Sequence, residues 1–90
     1  MKNHCTTSNV GTIYYWEDDE LHREDGPAFV TKNGYEIWYK KGSRHRKDGP
    51  AVIYSNGEHS WWYEGKCLGQ SWQGYTQEKF EQWKRLKVFI

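Results

Sequence analysis

Short β-prone runs separated by turn residues alternate along most of this chain. Ala28-Phe29-Val30-Thr31 and Ala51-Val52-Ile53-Tyr54 are rich in the residues that strands favour. Asn33-Gly34 and Asn56-Gly57 follow them, and Asn-Gly is a strong hairpin signal because a type I′ turn needs positive φ at both central residues. A second segment follows each turn, Tyr35-Glu36-Ile37-Trp38-Tyr39 and Glu58-His59-Ser60-Trp61-Trp62, before Gly42 and Gly65 mark a further reversal. Alternation puts Tyr15, Trp38 and Trp61 on one face, with Trp16, Tyr39 and Trp62 on the other. The pattern changes near the C-terminus. Thr76 predicts an N-cap, Glu78 suits the first turn, and Phe80, Trp83 and Leu86 recur at helical spacing. Tyr75 and Phe80 have the placement of a hydrophobic staple.

The two hairpins are copies. His22 to Gly42 and His45 to Gly65 align without an insertion at a spacing of about 23 residues. His22, Arg23, Asp25, Gly26, Pro27 and Ala28 match His45, Arg46, Asp48, Gly49, Pro50 and Ala51. One period earlier, Gly11, Tyr15 and Trp16 fit the second half of a unit. One period later, Leu68, Gly69 and Ser71 break the motif. A structural role explains the repeated motif: Asp accepts backbone N–H groups, Gly allows a backbone closed to other residues, and Pro fixes the entry to the strand. Arg23 and Arg46 would brace the neighbouring Asp.

The predicted fold is mainly β: an antiparallel meander of tandem β-hairpin repeats, five or six strands in all, with a C-terminal capping α-helix. Residues 1–10 read as a tail, 11–68 as the β-repeats and 75–87 as the helix. Ninety residues make one domain. Only 36% are hydrophobic, so the six Trp and seven Tyr must supply most of the buried area. Thirteen basic against twelve acidic residues, net +1, argue against a dedicated polyanion binder. No apolar run is long enough to span a membrane, and the polar N-terminus lacks a signal-peptide core, so a cytoplasmic protein is expected. Cys5 and Cys67 fit no metal spacing and read as free thiols, a single bridge being the other reading.

At the motif residues the chain resembles variant MORN-type repeat proteins, whose unit is a β-hairpin of similar length. It looks closer still to small proteins, frequent in bacteriophage genomes, that carry tandem W-Y-x-x-G-x-x-H-R-x-D-G-P-A repeats. The resemblance covers Gly11 to about Gly65, and departs from the pattern at Asp19, where the turn glycine is absent, and from Leu68 onward. It implies a meandering sheet, no assigned chemistry, and a scaffold or adaptor role. If phage-encoded, such a protein would work in the host cytoplasm.

His-Arg-x-Asp could supply a base, an anion clamp and an orienting carboxylate. Three features oppose that. The residues recur in each unit, no nucleophile recurs with them, and equivalent histidines about 10 Å apart cannot share a metal. No catalytic residue, metal or cofactor is therefore expected. Binding is expected instead, on a surface drawn from Tyr15, Trp16, Trp38, Tyr39, Trp61, Trp62, Arg44 and Arg46. A host protein is the first candidate partner, because Trp and Tyr dominate protein interfaces. Nucleotide or nucleic acid is the second, from the basic run Arg44-His45-Arg46-Lys47 and the aromatic rings. The uncharged strand Thr12 to Trp16 also reads as an exposed edge, to be covered either by the N-terminal tail folding back or by a second copy. Lys2 to Asn9 offers almost no apolar anchor, so a homodimer through Tyr14, Tyr15 and Trp16 is expected.

Overall fold

Three tight turns decide where the chain reverses. Asp18 and Asp19 (φ 51° and 68°), Lys41 and Gly42 (50° and 82°), and Glu64 and Gly65 (50° and 83°) each put two successive residues in the left-handed region. That is the type I′ pattern, whose twist suits antiparallel strands. Asp tolerates this region better than most residues, so the first turn forms without its glycine. At the Asn-Gly pairs only Gly34 (φ 93°) and Gly57 (φ 89°) are left-handed. Gly57 N–H donates to Tyr54 O and Tyr54 N–H to Glu58 O, both at 2.9 Å, which closes a three-residue loop with a glycine bulge. The type I′ expectation for these pairs is thus corrected. In the second, the Asn56 carboxamide accepts the Glu58 N–H at 3.0 Å, a local bond that a two-residue turn would lose.

The computed structural model describes residues 3–88; Met1 and Lys2 of the expected tail lie outside the described residues. The strands are β1 (Asn3–Thr7), β2 (Ile13–Glu17), β3 (Glu20–Leu21), β4 (Phe29–Val30), β5 (Glu36–Ile37), β6 (Tyr39–Lys40), β7 (Ser43–Arg44), β8 (Val52–Ile53), β9 (His59–Tyr63) and β10 (Lys66–Gln70). The main sheet runs β1-β2-β4-β5-β8-β9-β10, with β3 also on β2 and β6-β7 as a separate ribbon. All pairs are antiparallel. The mainly antiparallel architecture with one C-terminal helix is as expected, but its strands are shorter and more numerous. The turns at Asp18-Asp19 and Lys41-Gly42 close pairings of only two residues, whereas Glu64-Gly65 joins the five-residue strands β9 and β10. No helix among the described residues is long and apolar enough to cross a membrane.

Residues 3–7 of the expected tail are a strand. β1 pairs with β2 from Asn3↔Glu17 to Thr7↔Ile13. Ser8 Oγ accepts the Thr12 N–H at 3.0 Å, and Thr6 Oγ1 accepts the Trp16 indole N–H at 2.9 Å. The folded-back tail is thus the arrangement adopted: a backbone ladder and hydroxyl bonds hold this strand where apolar anchors are lacking. The edge on which the expected homodimer rested is therefore occupied within the same chain.

The His-Arg-x-Asp-Gly-Pro-Ala segments make matching contacts 23 residues apart. The guanidinium of Arg23 lies 4.0 Å from the Tyr15 ring centre, and that of Arg46 lies 3.9 Å from Trp38. Each donates to a proline carbonyl, Pro27 O at 3.3 Å and Pro50 O at 3.1 Å. The motif glycines serve this packing, since a Cβ on Gly26 or Gly49 would stand 2.9 or 3.0 Å from the arginine Cζ. Neither has a positive φ, so here glycine supplies room and not an unusual backbone. The main chain then links neighbouring units: Arg23 N–H donates to Tyr39 O and Arg46 N–H to Trp62 O, both at 3.2 Å.

The motif aspartates are more exposed than a buried turn-fixing role requires. Asp25 stands 3.4 Å from Arg23 Nε with its side chain 90% exposed, and Asp48 stands 2.9 Å from Arg46 Nε at 70%. Exposed ion pairs contribute about 0–1 kcal/mol. Asp48→Ala should therefore lower stability by about 0.5–1 kcal/mol and Asp25→Ala by less, as read by urea denaturation. A loss above about 2 kcal/mol in either would show a buried role.

Helix α1 (Gln77–Val88) starts at the expected cap, where Thr76 Oγ1 accepts the Lys79 N–H at 3.2 Å. It lies on the face that carries Trp61 and Tyr63. Phe80 is fully buried, Trp83 meets Tyr63 edge-on at 5.2 Å, and Gln77 Oε1 accepts the Trp61 indole N–H at 3.0 Å. Leu86 is 68% exposed and does not extend this face. At about 100° per residue it sits roughly 120° round from Phe80, whereas Lys87, itself exposed, comes back to the side of the helix that faces Tyr63. The Lys87 ammonium lies 4.1 Å from the Tyr63 ring centre.

Candidate functional site

The two faces of the sheet are furnished differently. On the helix-bearing face, Tyr15 and Trp38 lie against arginines, and Trp61 is 4% exposed. The Trp38 indole N–H is buried without a partner, where Trp61 has Gln77. Trp61 is thus buried, whereas Tyr15 and Trp38 are half-buried, each with one ring face taken by an arginine. Arg44 lies 4.8 Å from the Trp62 ring centre, and the Trp62 indole N–H donates to Ser60 Oγ at 2.9 Å. Tyr39 pairs with Arg44 in the β6-β7 ribbon. The eight candidate residues are divided between the two faces, as strand alternation implies for the six aromatics. Arg44 and Arg46 turn toward aromatic rings, which leaves the basic run less available to phosphates than its sequence suggests.

The opposite face carries a row that the sequence reading missed. Seven rings follow one another from β1 to the 3-10 turn after β10: His4, Trp16, Tyr14, Phe29, Tyr35, Tyr54 and Trp72. Their successive centroid distances are 6.2, 6.0, 5.3, 5.8, 5.7 and 5.4 Å. Strand register creates the row. Tyr14 pairs with Phe29, Phe29 with Ile37, Ile37 with Val52 and Val52 with Ser60, so all share a face. Ile37, Val52 and Ser60 form its buried floor, and Tyr54 OH meets Ser60 Oγ at 3.2 Å. Of these, the sequence singles out Trp16 as a binding candidate and Tyr14 with it at the expected dimer contact. The other rings follow a 23-residue spacing in neither copy, and only cross-strand register brings them together.

The row ends in an open groove of about 730 Å³ beside Tyr35, Tyr54 and Trp72, with Asn33, Asn56 and Glu58 among its lining. Trp72 is 51% exposed. Tyr35 and Tyr54 stack with 22° between their planes, and Trp72 stands at 70° to Tyr54. Glu58 Oε2 accepts the Ser71 hydroxyl at 2.8 Å, and Ser71 Oγ accepts the His59 N–H at 2.8 Å. These bonds fix Glu58, the one carboxylate among the described residues that line the groove.

A second hollow, of about 590 Å³, lies beside Cys5, Glu17, His22 and Glu24. Its histidine is fully engaged. His22 is 6% exposed, and its Nδ1 accepts the Lys41 N–H at 2.9 Å. Nε2 must then carry the proton, facing Glu24 Oε1 at 3.0 Å and Glu17 Oε2 at 3.2 Å. That tautomer leaves no lone pair for a base or a metal. Among the described residues no group of three or more His, Cys, Asp or Glu could hold a metal ion, and Cys5 and Cys67 are exposed free thiols.

His45 Nδ1 likewise accepts a turn amide, Glu64 N–H at 2.9 Å, and its ring meets Tyr63 at 4.5 Å. Burial, followed by the Lys40 ammonium, holds its pKa below the usual 6.5. The unfolded chain then binds the proton more readily, so this group's contribution is complete above pH 6.5 and is lost as pH falls through the lowered folded value. The melting temperature should drop between about pH 7.5 and about pH 5, and drop less in His45→Asn. Asparagine keeps an acceptor for the Glu64 amide without titrating. Equal drops in both proteins would assign the effect elsewhere.

No protein family, curated protein or solved structure matches this chain.

Proposed function

We propose that this chain is a non-enzymatic protein-binding module, built from tandem MORN-like hairpin units and docking through its seven-ring face. The observation that carries this reading is the aromatic row itself, half-exposed through Tyr14, Phe29, Tyr35 and Tyr54 and ending at Trp72, while the helix lies on the other face. Aromatic side chains contribute large contact area at interfaces for little lost conformational freedom, and contiguous exposed patches of them mark docking sites. The engaged ring of His22 and the inward-turned arginines further support binding over catalysis. The phage resemblance suggests an inhibitor or adaptor that acts on a host protein in the host cytoplasm.

Pull-down from a bacterial lysate tests this with three proteins in parallel: the natural chain, Trp72→Glu and Lys47→Gln. A protein captured by the natural chain and by Lys47→Gln, but lost with Trp72→Glu, is the expected result. Recovery of only nucleotide or nucleic acid would reverse the ranking and favour the basic segment around Arg44 and Arg46.

A further inference from the structure

We propose that the outer edge of β1 pairs with the same edge of a second copy of this chain, antiparallel about a two-fold axis at Cys5. The hydrogen bonds of β2 show which groups that edge offers. Tyr15 N–H donates to Ala28 O at 2.8 Å and Tyr15 O accepts the His22 N–H at 3.0 Å, so both point away from β1. Cys5 and Tyr15, partners in the ladder, are therefore a non-hydrogen-bonded pair, and Cys5 turns its own N–H and C=O outward. Alternation turns Asn3 and Thr7 outward as well, while His4 and Thr6 bond inward to Trp16 and Tyr14. Among the described residues no further strand lies beyond β1.

The two edges of the sheet are furnished unequally. β10 carries Lys66, a bulge between Cys67 and Gly69, and a Gln70 carbonyl that accepts the Tyr75 N–H at 3.2 Å. Charge, bulge and cover are the devices that keep strand edges from pairing. β1 has none of them: its residues are all exposed, with no Lys, Pro or carboxylate, and its register is unbroken. A second copy fits because the strand is its own complement. Setting Cys5 against its counterpart puts Asn3 opposite Thr7 and His4 opposite Thr6, so every outward residue finds a partner and no like charges meet. Sliding the strands by two residues leaves Asn3 or Thr7 outside the overlap. The contact closes on itself, and the guarded edge of β10 bars the head-to-tail alternative. Paired residues share a face, so the ring rows of the two copies lie end to end on one side. Five residues a side are few beside the roughly 20–30 of a stable interface, which makes the dimer reversible.

Sedimentation of the reduced full chain from about 10 µM to about 1 mM tests this. The expected course is monomer to dimer, with nothing larger. Cys5→Ser should dimerise as the natural chain does, because the backbone makes the contact. Thr7→Pro removes an outward donor from each copy and should weaken dimerisation about tenfold or more. Cys5→Lys sets two ammonium groups beside the axis and should weaken it about fivefold, while melting like the natural chain when dilute. Amide exchange at Asn3, Cys5 and Thr7, fast in the monomer, should slow as concentration rises, and His4 and Thr6 should change less. A short bismaleimide should join two copies of Cys67→Ser through Cys5. A natural chain that stays monomeric at about 1 mM, or species that keep growing with concentration, would overturn the proposal. So would dimerisation lost in Cys5→Ser, dimerisation untouched by both Thr7→Pro and Cys5→Lys, or a cross-link that needs Cys67.

Discussion

Phe80→Ala should cost about 3–5 kcal/mol and detach the C-terminal helix from the sheet. Phe80 is fully buried and stacks on Trp83 at 6.2 Å, so truncation opens a cavity where the helix meets β9. Isolated helices as short as these twelve residues are marginal in water, so losing that contact removes most of what keeps α1 folded. Domains of this size have only about 5–15 kcal/mol in hand, so the variant should melt far earlier and lose helical circular dichroism. Leu86→Ala is the matched control: exposed on the same helix, it should shift stability by no more than about 0.5 kcal/mol. A Phe80→Ala protein within about 1 kcal/mol of the natural chain would mean that the helix is not anchored through this ring.

Gly69→Ala should destabilise by about 1–3 kcal/mol for the opposite reason, overcrowding. A Cβ there would stand 2.3 Å from two atoms of the Tyr75 ring, closer than such contacts allow. Gly69 falls one period after Arg46 and two after Arg23, the arginines that lie over Trp38 and Tyr15. At the corresponding tryptophan, Trp61, Tyr75 takes that place, with ring centres 5.3 Å apart. Glycine in place of arginine thus admits the residue that leads into α1. Gly69→Arg should displace Tyr75 and cost at least as much as alanine. Adding Tyr75→Ala should recover part of the loss, a non-additivity measurable by a double-mutant cycle. Strict additivity would show that the two positions do not compete.

The recurrence of His22 to Gly42 at His45 to Gly65 made the hairpins legible, because turn chemistry and alternation are local. The helix start was legible at Thr76 for the same reason. What escaped was non-local. β1 has no apolar signature, since its contribution is a backbone ladder that almost any sequence can supply. Leu86 looked buried because a three-residue spacing drifts off a 3.6-residue helix within two steps. The candidate face was harder still. Tyr35 and Tyr54 occupy non-equivalent positions of their two copies, and they meet only because β5 pairs with β8. Of the conspicuous tryptophans, Trp61 is buried and Trp38 is half-buried under Arg46.

The one-sided placement of α1 has a consequence for how the molecule breathes. The helix secures β9, while β1 is exposed along its whole length and held by its ladder to β2. In a sheet whose strands contact mainly the strands beside them, opening spreads inward from the least supported end. Amide hydrogen exchange should therefore be graded, fastest at Asn3 to Thr7 and slowest at Ser60 and Trp61. The ring row inherits that gradient. His4 sits on the segment that frays first, whereas Tyr54 is tied to fully buried Ser60 of β9, so the groove rests on the slowest-exchanging part of the protein.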